Sequence, residues 1–268
     1  MYNKISFFII AHADDWQLFM QPFVFDDLVM PGCKVVFIIT TAGDAGMQEK
    51  FWRAREEGHK SSVRFCMSAI DTFSEFNGAK CYNEKNIDYW SLHHSTTFFL
   101  RLPDGNLDGS GFDSHDYQSL SKFQLNKINS LTSLDASYNF SNWDEYVKVL
   151  ATIISCESEG IADKNIHYLN PDPVPNPGDH ADHISTGIAV GQLNVTKSFK
   201  QFLYVGYSIQ NLETQLSQSD MFWKVSMFAA YEKAVFDYCG YSTLKENTDL
   251  YLRWCCSKPF VEIIAPSL

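Results

Sequence analysis

The chain reads as an α/β protein with a mostly parallel sheet flanked by helices, and three observations predict it. Ile5 to Ile10 is apolar but for Ser6 and carries β-branched and aromatic residues, the pattern of a strand buried on both faces. Val35 to Ile39 repeats that pattern after the turn signal Pro31-Gly32. Between them, Asp15 to Val29 has the mixed apolar character of a helix, broken or kinked at Pro22, which has no backbone N–H to donate. Strand, helix and strand in so short a span make a βαβ unit, hence a Rossmann-like layered fold.

The later elements follow in order. Glu49 to Met67 predicts a helix with a charged start, and Thr97 to Leu102 a strand halted by Pro103-Asp104-Gly105. Residues 106–142 are rich in Ser, Asn and Asp without a sustained period, an excursion rather than a linker. Asn142 with Glu145 forms a capping box for a helix to about Glu157, with Tyr146, Val149, Leu150, Ile153 and Ile154 at helical spacing. Ile166 to Leu169 and Phe202 to Tyr207 read as strands, with a helix from about Asp182 to Leu193 between them. Ser219 or Asp220 caps a final long helix through Tyr238, its Trp223, Met227, Phe228, Tyr231 and Val235 facing the core. No repeat or low-complexity tract divides the chain, so residues 1–268 are read as one domain.

Composition excludes several function classes. A length of 268 residues suffices for a substantial core, and the net charge of −11 disfavours nucleic acid and anionic lipid as partners. The seven cysteines are odd in number and show no CxxC spacing, which argues for reduced thiols and against a zinc ribbon or disulfide framework, Cys255-Cys256 included. The short N-terminal apolar run lacks a small-residue cleavage site, and no later run is long enough to span a membrane. A cytoplasmic location is expected, and a homo-oligomer is compatible with the sequence.

The chemistry-bearing residues fall into two clusters. The first strand runs into Ala11-His12-Ala13-Asp14-Asp15, and a later strand is followed by His180-Ala181-Asp182-His183. Ligand sites in open parallel sheets form beyond the carboxyl ends of strands, and imidazole with carboxylate suits zinc or a related divalent ion. Helix capping by Asp14 or Asp15 would account for the first cluster alone. It leaves the second unexplained, and neighbouring strands would gather all six side chains into one site. Elsewhere the bland readings prevail. His93-His94 reads as a surface pair. His59, His115 and His167 have no acidic or histidine partner at ligand spacing, and Gly43 to Gly46 lacks the dinucleotide-binding spacing.

These two motifs, AHxDD and HxDH, resemble the signatures of the LmbE/PIG-L family, zinc-dependent N-deacetylases of N-acetylglucosamine derivatives. Thr40 to Gly46, Arg53-Ala-Arg-Glu56-Glu57 and Leu102-Pro103-Asp104-Gly105 resemble further family segments in the right order. The resemblance implies one Zn2+ per chain, or another divalent metal, held by His12, Asp15 and His183. It implies Asp14 as general base, His180 as an imidazolium that stabilises the oxyanion and can protonate the departing amine, and Asp182 as the residue tuning its charge. It also implies sugar contacts from Arg53 and Asp104, with Arg55 the alternative to Arg53.

The sequence departs from the family pattern at Ala13 and Ala181, where proline is usual, and at Trp16, which either stacks on a sugar or packs. Asn170 to Gly178 is proline-rich and long, and is expected to reshape the cleft rim. The implied substrate is a small N-acylated amino sugar or conjugate. An amidase on a non-sugar amide shares the same chemistry, and a metal-dependent phosphoesterase would want a second metal and cationic phosphate clamps.

Overall fold

The computed structural model describes residues 2–212 and 216–266. In chain order the elements are β1 (Lys4–Ile10), α1 (Asp15–Phe19), α2 (Phe23–Val29), β2 (Cys33–Thr41), α3 (Glu49–Met67), β3 (Glu75–Tyr82), β4 (Lys85–Leu92), β5 (Ser95–Leu102) and α4 (Leu120–Gln124). The short pair β6 (Leu131–Thr132) and β7 (Asn139–Phe140) follows, then α5 (Trp143–Glu157), β8 (Asp163–Leu169), α6 (Ala181–Gly191), β9 (Lys200–Tyr204), α7 (Gln218–Cys239), α8 (Thr243–Cys256) and β10 (Val261–Ile264).

Eight strands form one sheet in the order β10-β9-β8-β1-β2-β5-β4-β3. The five central strands, β9 to β5 in that order, are parallel, and the antiparallel β10 and the β3-β4 hairpin close the two edges. The sheet is the mostly parallel, helix-flanked one the sequence predicts.

The apolar runs have a physical cause in the two layers. Because successive side chains on a strand point to opposite faces, Phe8, Ile10, Val35, Phe37 and Ile39 meet the layer that holds Ala54, Val63, Met227, Phe228 and Tyr231 of α3 and α7. The alternating set, Phe7, Ile9, Val36 and Ile38, packs on Val149, Leu150, Ile153, Ala189 and Val190 of α5 and α6. A central strand with both faces covered has no polar side.

Several boundaries differ from the sequence reading. Asn142 caps α5, its side chain accepting from the Glu145 N–H at 2.9 Å, but Glu145 reaches back to the Ser141 N–H and completes the box one residue early. Ser217, rather than Ser219 or Asp220, caps α7, accepting from the Asp220 N–H. That helix is followed by α8 and is not the last. β9 stops at Tyr204, because Val205 and Gly206 lead into a 3-10 turn that begins at Tyr207.

His94 is buried, its Nε2 2.8 Å from the Leu28 carbonyl, while its neighbour His93 is exposed and stacks on Phe73. The pair is therefore split between core and surface. All seven cysteines are free thiols. Among the described residues no helix is long and apolar enough to cross a membrane.

Candidate metal centre

From β1 the chain proceeds to β2 and β5 on one side, and β8 and β9 lie on the other. The sheet order therefore reverses between β1 and β8, and the crevice above such a reversal is where open α/β sheets bind ligands. The loop leaving β1 carries His12 and Asp14 and runs into Asp15 at the start of α1, and the loop leaving β8 carries Asp179 and His180 and runs into Asp182 and His183 in the first turn of α6. The turns after β2 and β5 add Gly43, Asp44 and Asp104.

Three acceptor atoms converge there. His12 Nδ1 lies 3.1 Å from His183 Nε2, and Asp15 Oδ1 lies 3.1 Å from His183 Nε2 and 3.5 Å from His12 Nδ1. All three side chains are buried. Tetrahedral bonds of about 2.0–2.1 Å to one zinc ion would space its ligands by roughly 3.3 Å, so the triangle has the right size.

The outer partners fix which atoms face inward. His183 Nδ1 donates to Asp179 Oδ1 at 2.9 Å, leaving Nε2 as a lone pair. Asp15 Oδ2 accepts from the N–H groups of Ala11 and His12, which leaves Oδ1 free. Burial opposes a charge on His12, yet Asp15 overcomes it and raises the imidazole to about 10. His183 is likewise raised against burial by Asp15 and Asp179. A buried nest of acceptors that draws in positive charge fits a divalent cation as well as it fits protons.

A second set of groups stands on the other edge of His12. His12 Nε2 is buried without a hydrogen-bond partner, 3.5 Å from Asp182 Oδ2 and 3.9 Å from Asp104 Oδ2. Asp182 also accepts from the Gly105 N–H at 2.9 Å, and a Cβ on Gly105 would come within 2.5 Å of Asp182 Oδ1. Glycine is thus required where the β5 turn meets α6. Asp182 leans on His12 and Gly105 rather than on His180, whose Nδ1 is 3.9 Å away.

The imidazolium expected at His180 does not fit its surroundings. His180 Nδ1 accepts from the Asp182 N–H at 3.1 Å, which makes Nε2–H the protonated edge of a neutral ring. Burial, and then the charges of His12 and His183, push it down to about 3, outweighing Asp104 and Asp15. A metal cation in place of the two protons would push it the same way. Nε2, 3.7 Å from Asp104 Oδ1, is left to donate toward a bound molecule.

Of the two arginines, the structure brings Arg55 and not Arg53 to the cleft. The Arg55 guanidinium bonds Asp14 and donates to the Gly43 carbonyl at 2.6 Å and the Tyr231 hydroxyl at 2.8 Å. Gly43 has φ +58°, and a Cβ there would meet the Arg55 Nη1 at 2.5 Å. Arg53, two residues earlier on α3, points to the surface, pairs with Glu49 and lies over Trp52. The spacing of two residues on a helix puts them on different faces.

Trp16 is fully buried and donates to His59 Nδ1, so it packs and does not line the cleft. His59 and His167 are core residues, the latter between Phe8 and Phe202. His115 has an acidic partner after all, Asp44 at 2.6 Å, and Asp44 also accepts from the Asp104 N–H.

Sequence reasoning missed Asp179, although its spacing of four from His183 was a readable signal. It also missed Tyr207 and Trp254, which no motif marks. The segment before Asp179 works beneath the site. Asn176 donates to Asp179 Oδ2 at 2.7 Å and so holds the carboxylate that orients His183. A cavity of about 220 Å³ opens above these groups, and His12, Asp14, Asp15, Arg55, Asp104 and His180 all face it.

Residues 7–194 match the family model described as PIG-L: GlcNAc-PI de-N-acetylase. Among solved structures, a triple mutant of a deacetylase involved in teicoplanin biosynthesis superposes with a TM-score of 0.52 at 11% identity, covering 97% of this chain and 98% of its own. The zinc-inhibited form of the teicoplanin deacetylase Orf2 gives 0.49 at 12% identity, covering 93% and 90%. GalB, the 4-carboxy-2-hydroxymuconate hydratase of Pseudomonas putida KT2440, gives 0.43 at 10%, covering 99% and 98%. Comparison with curated protein sequences finds no significant match. At these identities the likeness to the first structure is one of fold.

Proposed function

That this chain belongs to the PIG-L family, described as GlcNAc-PI de-N-acetylase, is the premise from which we propose its function. It is a zinc-dependent hydrolase that removes an N-acyl group, acetyl in the first place, from an amino-sugar derivative. The observation that carries this reading is the convergence of His12 Nδ1, Asp15 Oδ1 and His183 Nε2 beside a cavity that His12, Asp15, Asp14 and His180 line.

His12, Asp15 and His183 would hold the metal, with Asp179 orienting His183. When bound, a divalent zinc polarises the amide carbonyl and acidifies water. Asp14 takes a proton from the attacking water as its oxygen bonds the carbonyl carbon, and returns it to the nitrogen when the C–N bond breaks. Arg55 fixes the Asp14 carboxylate by pairing with one of its oxygens, so the other is left for the proton. His180, as a neutral Nε2–H donor, steadies the negative charge on the carbonyl oxygen. Asp104 accepts from a sugar hydroxyl, and Arg55 rather than Arg53 stands on the substrate side.

Phosphoester hydrolysis is the weaker reading. Among the described residues Arg55 is the one lysine or arginine lining the cavity, and it is committed to Asp14. The test is release of free amine from N-acetylated glucosamine derivatives by zinc-loaded protein. Amine release that Asp14→Asn abolishes while retaining zinc supports the assignment; no amine from any sugar amide refutes it.

A further inference from the structure

Beyond the metal centre the cleft continues into a second cavity of about 530 Å³, and the two share Leu107, Tyr207, Tyr251 and Trp254 as a common wall. Every shared residue except Leu107 lies past residue 194, outside the span that matches the family model. The wall is aromatic and ordered. Tyr207 and Trp254 stack with ring centres 4.7 Å apart and planes at 22°, and Tyr251 meets Trp254 edge-on at 5.2 Å. The Trp254 Nε1–H is spent on the Tyr207 carbonyl, so the indole offers this cleft carbon surface rather than a donor.

Helix α8 supplies half of the residues that line the second cavity. It is kinked at Asn247, whose backbone leaves the helical region and whose side chain accepts from the Leu250 N–H, so that Leu250 and Tyr251 turn toward the cleft. The charges lining this cavity are Glu246 at the mouth and Asp179 at the base, with no lysine or arginine among the described lining residues. An anion entering it would meet the Glu246 carboxylate and, among the described lining residues, no lysine or arginine to pair with, whereas a flat uncharged group would meet Tyr and Trp faces.

We infer that this second cavity is an aglycone subsite, and that the chain prefers amino sugars joined to a neutral aromatic group over those carrying a phosphate. The inference rests on the amino-sugar reading above and names the substrate class within it. A family described by a phosphoinositide-linked sugar therefore holds, in this chain, a site built against phosphate.

The test separates binding from turnover. Calorimetric affinities of the zinc-loaded protein for three amines, glucosamine, 4-nitrophenyl β-D-glucosaminide and glucosamine 1-phosphate, read the subsite without any reaction. The aryl compound should bind about tenfold more tightly than glucosamine, and the phosphate no better than glucosamine. Leu250→Ala and Tyr251→Ala should each shrink the aryl advantage, and Glu246→Lys, at an exposed position, should raise affinity for the phosphate. Equal affinity for the aryl compound and glucosamine, or tighter binding of the phosphate by the unaltered protein, would overturn the inference. Amide hydrolysis measured in parallel keeps the two readings apart. Turnover of sugar amides without aryl preference sinks the subsite alone, and aryl-selective binding without turnover of any sugar amide sinks the hydrolase.

Discussion

At the scale of single residues, the site divides into groups that face the cavity and groups that aim them. Asp179 is of the second kind. Its carboxylate takes the Nδ1–H of His183 and also accepts from the Asn176 amide and the Tyr207 N–H, so three hydrogen bonds to one carboxylate fix the ring. Asp179→Asn should weaken zinc binding by about 10–100-fold while the fold persists, as read by competition with a chelator. Unaltered affinity would mean that the ring is held by packing alone. Arg55 and Arg53 make a second contrast. Arg55→Ala frees Asp14 from its partner, and a displaced base costs on the order of 10²-fold in kcat/KM, whereas Arg53→Ala removes a surface pair and should leave the rate near that of the parent. Equal losses in the two variants would return the substrate contact to Arg53.

Elements were legible from the sequence where one physical rule governed them. β1 and β2 are buried on both faces and read as apolar runs. Glu49 to Met67 read as a helix with a charged start and is α3. The β3-β4 hairpin was missed because β3 has little to bury: of its eight residues only Tyr82 is fully inside, and Phe76 is 64% exposed. Its order comes from pairing with β4, a tertiary cause that no alternation in Glu75 to Tyr82 announces. α8 escaped for a related reason, since a kink at Asn247 breaks the helical period that would reveal it. The candidate site was legible to the extent that its histidines and carboxylates sit in two short motifs, and illegible where a lining residue comes from a distant element, as Tyr207 and Trp254 do. Local rules remain testable here. Asn142→Ala removes the side-chain acceptor of the Glu145 N–H and should cost about 0.5–2 kcal/mol in urea unfolding, with no change in zinc content.

At the scale of the whole molecule, one buried arginine ties the active-site turn to its surroundings. Arg101, near the end of β5 and two residues before Pro103, bonds Glu56 of α3 through Nε and Nη2, and Asp88 of β4 and Asp135 of the loop between β6 and β7 through Nη1. Its own carbonyl accepts from the Leu134 N–H, so the loop is held twice. The Asp104 turn that follows therefore rests on three separate elements. Burial would raise the Asp135 carboxyl, but hydrogen bonds from Arg101, Ser137 and Ser133 outweigh it and hold the group down to about 2, against an ordinary 3.8. The folded state thus binds a proton on Asp135 less readily than the unfolded chain does. The stability this contributes is fully present above the ordinary value and is lost as pH falls from about 3.8 toward 2. Glu56 runs the other way, raised by burial despite Arg101, so total stability in acid mixes opposing groups and cannot isolate either. Comparing the parent with Asp135→Asn isolates one. The difference in unfolding free energy should be constant from neutral pH down to about 5, then shrink steadily and largely vanish as pH falls through about 2, below which both side chains are uncharged. A difference that stays level through that range would show that Asp135 contributes through its neutral hydrogen bonds, and that the Arg101 junction holds the Asp104 turn by shape and not by charge.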